Sequence, residues 1–222
     1  MWQIPKDVPI FQDFIPKGSR NRPGHSMQPK GITVHATANT QAGANAKAHA
    51  RYVKGPDAAA RPASWHFTVD DREIWQHLPL VENGWHAGDG YNGPGNRSTI
   101  GIEMCMNRDG NLNRTEANTI WLTVKLMLEI PTIETVIPGT VWQHWHWNKK
   151  NCPMTLRGRA NGWADFTAAI AAELRRQTAG GDTIDPNLME RIKRLERTVN
   201  QLRTDLAGAL KAINNAGKAL TG

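Results

Sequence analysis

The run Gly31-Ile32-Thr33-Val34-His35 is short and β-branched, and it predicts a strand. Residues 42–54, rich in alanine with Lys47, His49 and Arg51 interspersed, predict a helix that Gly55-Pro56 ends. Residues 65–69 and 72–78 predict a hairpin joined through Asp70-Asp71. Residues 99–105 predict another strand, closed by the turn Asn107-Arg108-Asp109-Gly110. Ile120, Trp121, Val124 and Leu128 fall at helical spacing in a helix from about 115 to 129. A last strand is expected near 139–143 and a last helix over 163–177. Residues 1–30, rich in proline and basic residues with little periodicity, predict an irregular lead-in packed on the domain. Strands alternating with helices point to an α/β fold, a central mixed β-sheet flanked by helices, over residues 1–178.

The tail has a different pattern. Leu188, Ile192, Leu195, Val199, Leu202, Leu206, Ala209, Ile213, Ala216 and Leu220 follow one another at alternating spacings of four and three. That is a heptad seam, and it predicts a C-terminal coiled-coil helix over 187–222. Residues 179–186, with Gly180-Gly181-Asp182, read as the hinge before it. A lone helix of this kind would leave its apolar stripe in water, so it should pair. A homo-oligomer formed through the tail is the first expectation. Folding back onto the preceding domain and docking to a wall or membrane surface are the alternatives, the latter because Arg191, Lys193, Arg194, Arg197 and Arg203 make the tail basic.

Composition narrows the class. The chain has 222 residues, of which 39% are hydrophobic and 21% charged, as in an ordinary globular protein. No apolar run is long enough for stable membrane insertion. The N-terminus lacks the basic start and apolar stretch of a signal peptide, so synthesis in the cytosol without an encoded export route is expected. Two cysteines, Cys105 and Cys152, do not make a disulfide framework. A net charge of +7 and a pI near 9.7 imply an acidic partner: nucleic acid, an anionic cell wall or an acidic membrane surface. No nucleic-acid recognition motif accompanies the charge, so no nucleic-acid partner is expected.

Among residues able to do chemistry, His35, His144 and Cys152 stand out as metal ligands. Zinc takes imidazole nitrogen and thiolate sulfur, and a catalytic site uses three protein ligands with a fourth position open. Spacing alone leaves this open, because a lone histidine or cysteine is more often a packed residue.

The motifs in series say more. They are Thr33-Val34-His35-Ala36-Thr37-Ala38-Asn39, Trp65-His66-Phe67-Thr68-Val69-Asp70-Asp71, Gly84-Trp85-His86-Ala87-Gly88-Asp89-Gly90, Gly95-Asn96-Arg97 and Ile100-Gly101-Ile102-Glu103. His144 with Lys150-Asn151-Cys152-Pro153 completes them. In this order they resemble the type-2 N-acetylmuramoyl-L-alanine amidase family, its phage endolysin branch above all, over roughly residues 28–177. Peptidoglycan recognition proteins share that fold.

The resemblance implies a Zn2+ enzyme that cuts peptidoglycan between the lactyl group of the sugar strand and L-alanine. It implies His35, His144 and Cys152 as zinc ligands. His146 competes with His144, since residues two apart in an extended segment face the same way, but the family's spacing of eight before the cysteine favours His144. It further implies Lys150 beside the substrate carbonyl and Glu103 as general base. Trp85 and His86, in a glycine-rich loop, are expected to line the substrate groove. Some relatives carry a catalytic tyrosine just before the His-Phe pair. Here that position is Trp65, which has no hydroxyl, so proton work falls to Glu103 and Trp65 becomes packing or a sugar platform. Cys105 reads as a buried free thiol. His25, His49 and His77 read as packing residues. The biology implied is a phage lysin, held in the host cytoplasm until lysis and then acting on the cell wall. The alternative is a non-catalytic peptidoglycan-binding module, but such proteins typically lack the ligating cysteine that is present here.

Overall fold

The structure, a computed structural model, describes residues 2–61 and 63–179, together with 201, 202, 205, 206 and 208. It separates into two units, Met1–Arg175 and Arg176–Gly222. The elements run β1 (Ile10–Gln12), β2 (Gly31–Ala36), α1 (Ala46–Lys54), α2 (Pro56–Ala59), β3 (Phe67–Val69) and β4 (Ile74–Gln76). They continue with α3 (Pro94–Ser98), β5 (Thr99–Met104), α4 (Leu112–Glu129), β6 (Val141–Gln143), α5 (Trp145–Asn148), α6 (Met154–Arg157) and α7 (Gly162–Ala179).

The strands make one mixed sheet in the order β1-β4-β3-β5-β2-β6. Among the described strand pairs only β3–β4 is antiparallel, so β1 and β4 oppose the other four strands. This is the α/β fold with a mixed sheet flanked by helices that the alternation of elements predicts. Successive residues of a strand face opposite sides. On one side Ile32, Val34, Ile100, Ile102, Met104, Phe67 and Val69 join Ile120 and Val124 of α4 and Phe166 and Ile170 of α7 in the main core. The other side carries Thr33, His35, Gly101, Glu103 and Thr68, with His35, Glu103 and Thr68 aligned across β2, β5 and β3. The sheet thus gives one face to the apolar core and carries its polar side chains on the other. Ile102 is fully buried between Val34 and Phe67 on the neighbouring strands. Ile102→Ala is expected to cost about 2–5 kcal/mol in denaturant unfolding.

Asp70 builds the expected hairpin turn. Its Oδ1 accepts from the backbone N–H groups of Arg72 and Glu73, and its Oδ2 accepts from Ala46 N–H at the start of α1. α1 begins at Ala46 rather than 42 because Asn45 caps it, accepting from Ala48 N–H at 2.9 Å. Asn111 caps α4 in the same way and moves its start forward to Leu112. Pro56 both ends α1 and opens the short helix α2, since proline suits a first helical position. α3, α5 and α6 are also single-turn helices that the hydrophobic pattern does not announce.

The lead-in does pack on the domain. Trp2 Nε1 donates to the fully buried Glu116 of α4, which also takes Arg159 at 3.0 Å. Within the lead-in lies β1, a strand that the proline-rich pattern hides. It is an edge strand, where flanking prolines cost no ladder bond.

The predicted tail falls largely outside the described residues. Those described, Gln201, Leu202, Asp205, Leu206 and Gly208, are helical.

Candidate active site

β2 and β6 run side by side, and the chain leaves β6 directly into His144. His35 is the penultimate residue of β2, and Cys152 lies in the loop between α5 and α6. The three side chains are buried, and one donor atom from each lies within 4.8 Å of the others. His35 Nδ1 is 2.9 Å from His144 Nδ1 and 3.9 Å from Cys152 Sγ. His146 does not share this position. The extended segment stops at Gln143, so His146 falls on a helical turn, exposed and packed against the rings of Trp142 and Trp147.

The cluster has the chemistry of a cation site. Burial first, then His86, His144 and Lys150, holds His35 well below the ordinary histidine range. Burial and Lys150 lower His144 to about 4, against a nearby Ala87 carbonyl. Among the described residues no hydrogen bond of ordinary geometry reaches His144 Nε2. Burial and Glu103 push the Cys152 thiol up to about 12. Two neutral imidazoles whose Nδ1 atoms stand 2.9 Å apart, beside a thiol that only a cation would ionise at neutral pH, fit a zinc ion.

Glu103 sits on β5 in register with His35. Burial raises its carboxyl to about 8, against the opposing charge of Lys150. Its Oε2 is enclosed and has no hydrogen-bond partner among the described residues. Glu103 and Lys150 line a cavity of about 580 Å³ together with Asn39, Tyr52, Arg61 and Trp65. A second cavity, of about 620 Å³, is lined by Trp85, His86, Tyr91, His144, Asn148 and Lys150. Lys150 lines both, and His144 of the donor cluster lines the second. Trp65 is buried and gives its indole N–H to Thr68 Oγ1 at 2.7 Å. Cys105 is buried against His49 at 3.8 Å and is not a member of the His35, His144 and Cys152 cluster.

Residues 25–155, well over half the chain, match the N-acetylmuramoyl-L-alanine amidase family. The chain belongs to that family. The N-acetylmuramoyl-L-alanine amidase XlyA of Bacillus subtilis (strain 168) is 54% identical over 163 residues, covering 73% of this chain and 51% of the relative. The N-acetylmuramoyl-L-alanine amidase CwlH of the same organism is 50% identical over 167 residues, covering 74% and 62%. The chain therefore spans between half and two thirds of the length of these curated relatives. The solved catalytic domain of XlyA is similar at 55% identity and a TM-score of 0.67, over 73% of this chain and 99% of that one.

Within this amidase family domain, several residues near the cavities are not singled out by the sequence reading. Tyr52, Arg61, Tyr91 and Asn148 sit on helices and loops without a motif of their own. Asn96 lies inside a motif but its task is visible only in space: its Oδ1 accepts from the backbone N–H groups of His86 and Ala87, both at 2.8 Å.

His66 is a second such case. Its Nδ1 accepts from Gly101 N–H at 3.0 Å and its Nε2–H donates to the Glu82 carbonyl at 2.9 Å, locking β3 to β5 and to the loop after β4. Burial lowers its pKa to about 4, with the Glu82 carbonyl and carboxylate opposing. Protonation would remove the acceptor that Gly101 uses. The stability it supplies is fully present above the unfolded value near 6.5 and is lost as pH falls toward 4. The melting temperature is expected to drop over that interval, with His66 contributing up to about 3 kcal/mol. A flat melting curve from pH 7 to 4 would contradict this.

Proposed function

We propose that this chain is a phage-type endolysin that hydrolyses the peptidoglycan amide bond joining the lactyl group to L-alanine, with Zn2+ held by His35, His144 and Cys152. One observation carries the reading: a buried donor set of two imidazoles and a thiol meets Glu103 and Lys150 beside two cavities that Lys150 lines in common. When bound, the ion supplies Lewis-acid chemistry, polarising the amide carbonyl and acidifying water. Glu103 takes a proton from the attacking water, whose oxygen bonds to the carbonyl carbon. The C–N bond breaks, and Glu103 returns the proton to the departing L-alanine nitrogen. Lys150 holds its ammonium near the oxygen that turns negative. Trp65 and Trp85 wall the two cavities, one for each arm of the substrate. Trp65 has already committed its N–H to Thr68 and does no proton work.

Digestion of purified peptidoglycan, read by mass spectrometry with and without a chelator, tests this. Free stem peptides beginning with L-alanine, lost when metal is removed, are expected. Cleaved sugars with stems attached would make the protein a glycosidase. Lys150→Met is expected to lower kcat about 100-fold, in the range of one lost oxyanion donor, with zinc content unchanged.

The basic tail suits an anionic wall, and its heptads suit pairing with a second copy, which would bring several sites to one wall. Sedimentation showing a monomer would remove this element. The place of action inferred is the host cytoplasm before lysis and the cell wall afterwards. No helix among the described residues is long and apolar enough to cross a membrane.

A further inference from the structure

His86 lines the second cavity, yet its side chain is almost wholly buried, at 8% exposure, and its ring turns toward His35. His86 Nε2 lies 3.2 Å from the Thr99 carbonyl, and His86 Nδ1 lies 3.1 Å from His35 Nε2. A carbonyl oxygen only accepts, so His86 Nε2 carries a hydrogen. In the neutral ring His86 Nδ1 is then a lone pair. His35 Nε2–H donates to it, and His35 Nδ1 is left bare. That bare atom is the one facing His144 Nδ1 and Cys152 Sγ.

The ring of His86 is held on two other sides. Asn96 fixes its backbone. A Cβ built on Gly101 would stand 2.7 Å from His86 Cγ, so β5 leaves out a side chain where the imidazole lies. The Gly101 requirement is steric, set by the ring pressed against the strand.

We propose that His86 is a positioning residue for the metal ligand His35: the chain Thr99 C=O, His86, His35 Nε2–H keeps the ligand's proton on the far side of its ring and its Nδ1 free for the ion. This rests on the zinc reading of the site. A partner of this kind sets both the ring orientation and the tautomer of a ligating histidine, and its loss typically costs 10–100-fold in metal affinity.

Two measurements on the full chain test it. In the metal-free wild type, long-range 1H–15N correlation spectra of the histidine rings are expected to show His35 as the Nε2–H tautomer. An Nδ1–H tautomer overturns the proposal, and this measurement needs no variant. Zinc affinity is then measured by competition with a chromophoric chelator. His86→Leu is expected to weaken binding about 10–100-fold. His86→Gln, whose amide oxygen can still accept from His35, should recover most of that loss. Gly101→Ala, which pushes the ring away, should behave as His86→Leu does. Wild-type affinity in His86→Leu, or no advantage of glutamine over leucine, would overturn it. If the wild type itself binds no zinc, the metal reading fails, and the tautomer alone decides whether the hydrogen-bond chain exists.

Discussion

Cys152→Ser is expected to leave the folded protein nearly free of zinc and without measurable turnover. Serine is close in volume to cysteine, and Cys152 is 4% exposed in a packed loop, so the change removes a ligand without opening a cavity. A serine hydroxyl does not ionise at neutral pH and makes a poor third donor. Zinc affinity is expected to fall by more than about 100-fold, beyond what the loss of an outer-shell partner costs. The thiol's own titration adds a signature. Burial, with Glu103 next, holds it at about 12, so it is protonated at neutral pH in the metal-free protein. Metal binding must then expel that proton, and wild-type affinity should climb as pH rises. Calorimetry in buffers of different ionisation enthalpy would count the released proton, and Cys152→Ser should lose that release along with the affinity. Stoichiometric zinc in the serine variant would strike Cys152 from the ligand set.

The sheet was legible because its central strands carry their own signal. Ile32-Thr33-Val34 and Ile100-Gly101-Ile102 combine β-branched residues with a period of two, and the same period sends His35 and Glu103 to one face. β1 was not legible. It is three residues between prolines, and its partner β4 lies some sixty positions along the chain. The His35, His144 and Cys152 cluster was legible only through the family motifs, since His35 and Cys152 are separated by 117 positions and share no local pattern. His86 shows the limit of such reading. A histidine after a tryptophan in a glycine-rich loop suggests a groove wall, and it does line a cavity. Its bond to His35, 51 positions away, depends on how the loop is laid against β5. Gly101 and Asn96 make that placement possible, yet in sequence one reads as part of a strand and the other as part of a loop. For His146, the reasoning from an extended segment failed because β6 ends one residue before His144, and a helical turn sends the two histidines apart.

Glu103→Gln is expected to keep zinc and lose about 100- to 10,000-fold in kcat, the range that a positioned general base supplies. Glutamine matches the shape of glutamate and cannot cycle a proton between water and the leaving nitrogen. Stability separates this outcome from simple damage. The Glu103 carboxyl is raised to about 8 by burial, against the pull of Lys150. A raised carboxyl favours the folded state while it is protonated, and that contribution is lost as pH rises from the ordinary value near 4.5 through 8. In the metal-free wild type the melting temperature should therefore carry a falling component across this interval. Glutamine has no charge to bury, so the variant should be at least as stable as the wild type at pH 8. The rate has the opposite sign. Only ionised Glu103 can accept a proton, so wild-type kcat/KM should rise with pH along a limb whose midpoint lies at or below about 8, because a bound dication favours the carboxylate. Glu103→Gln should lose that limb. A variant that is folded, zinc-loaded, no less stable and inactive is the outcome that places the proton transfer on Glu103, and a rate within a few-fold of wild type would move it elsewhere.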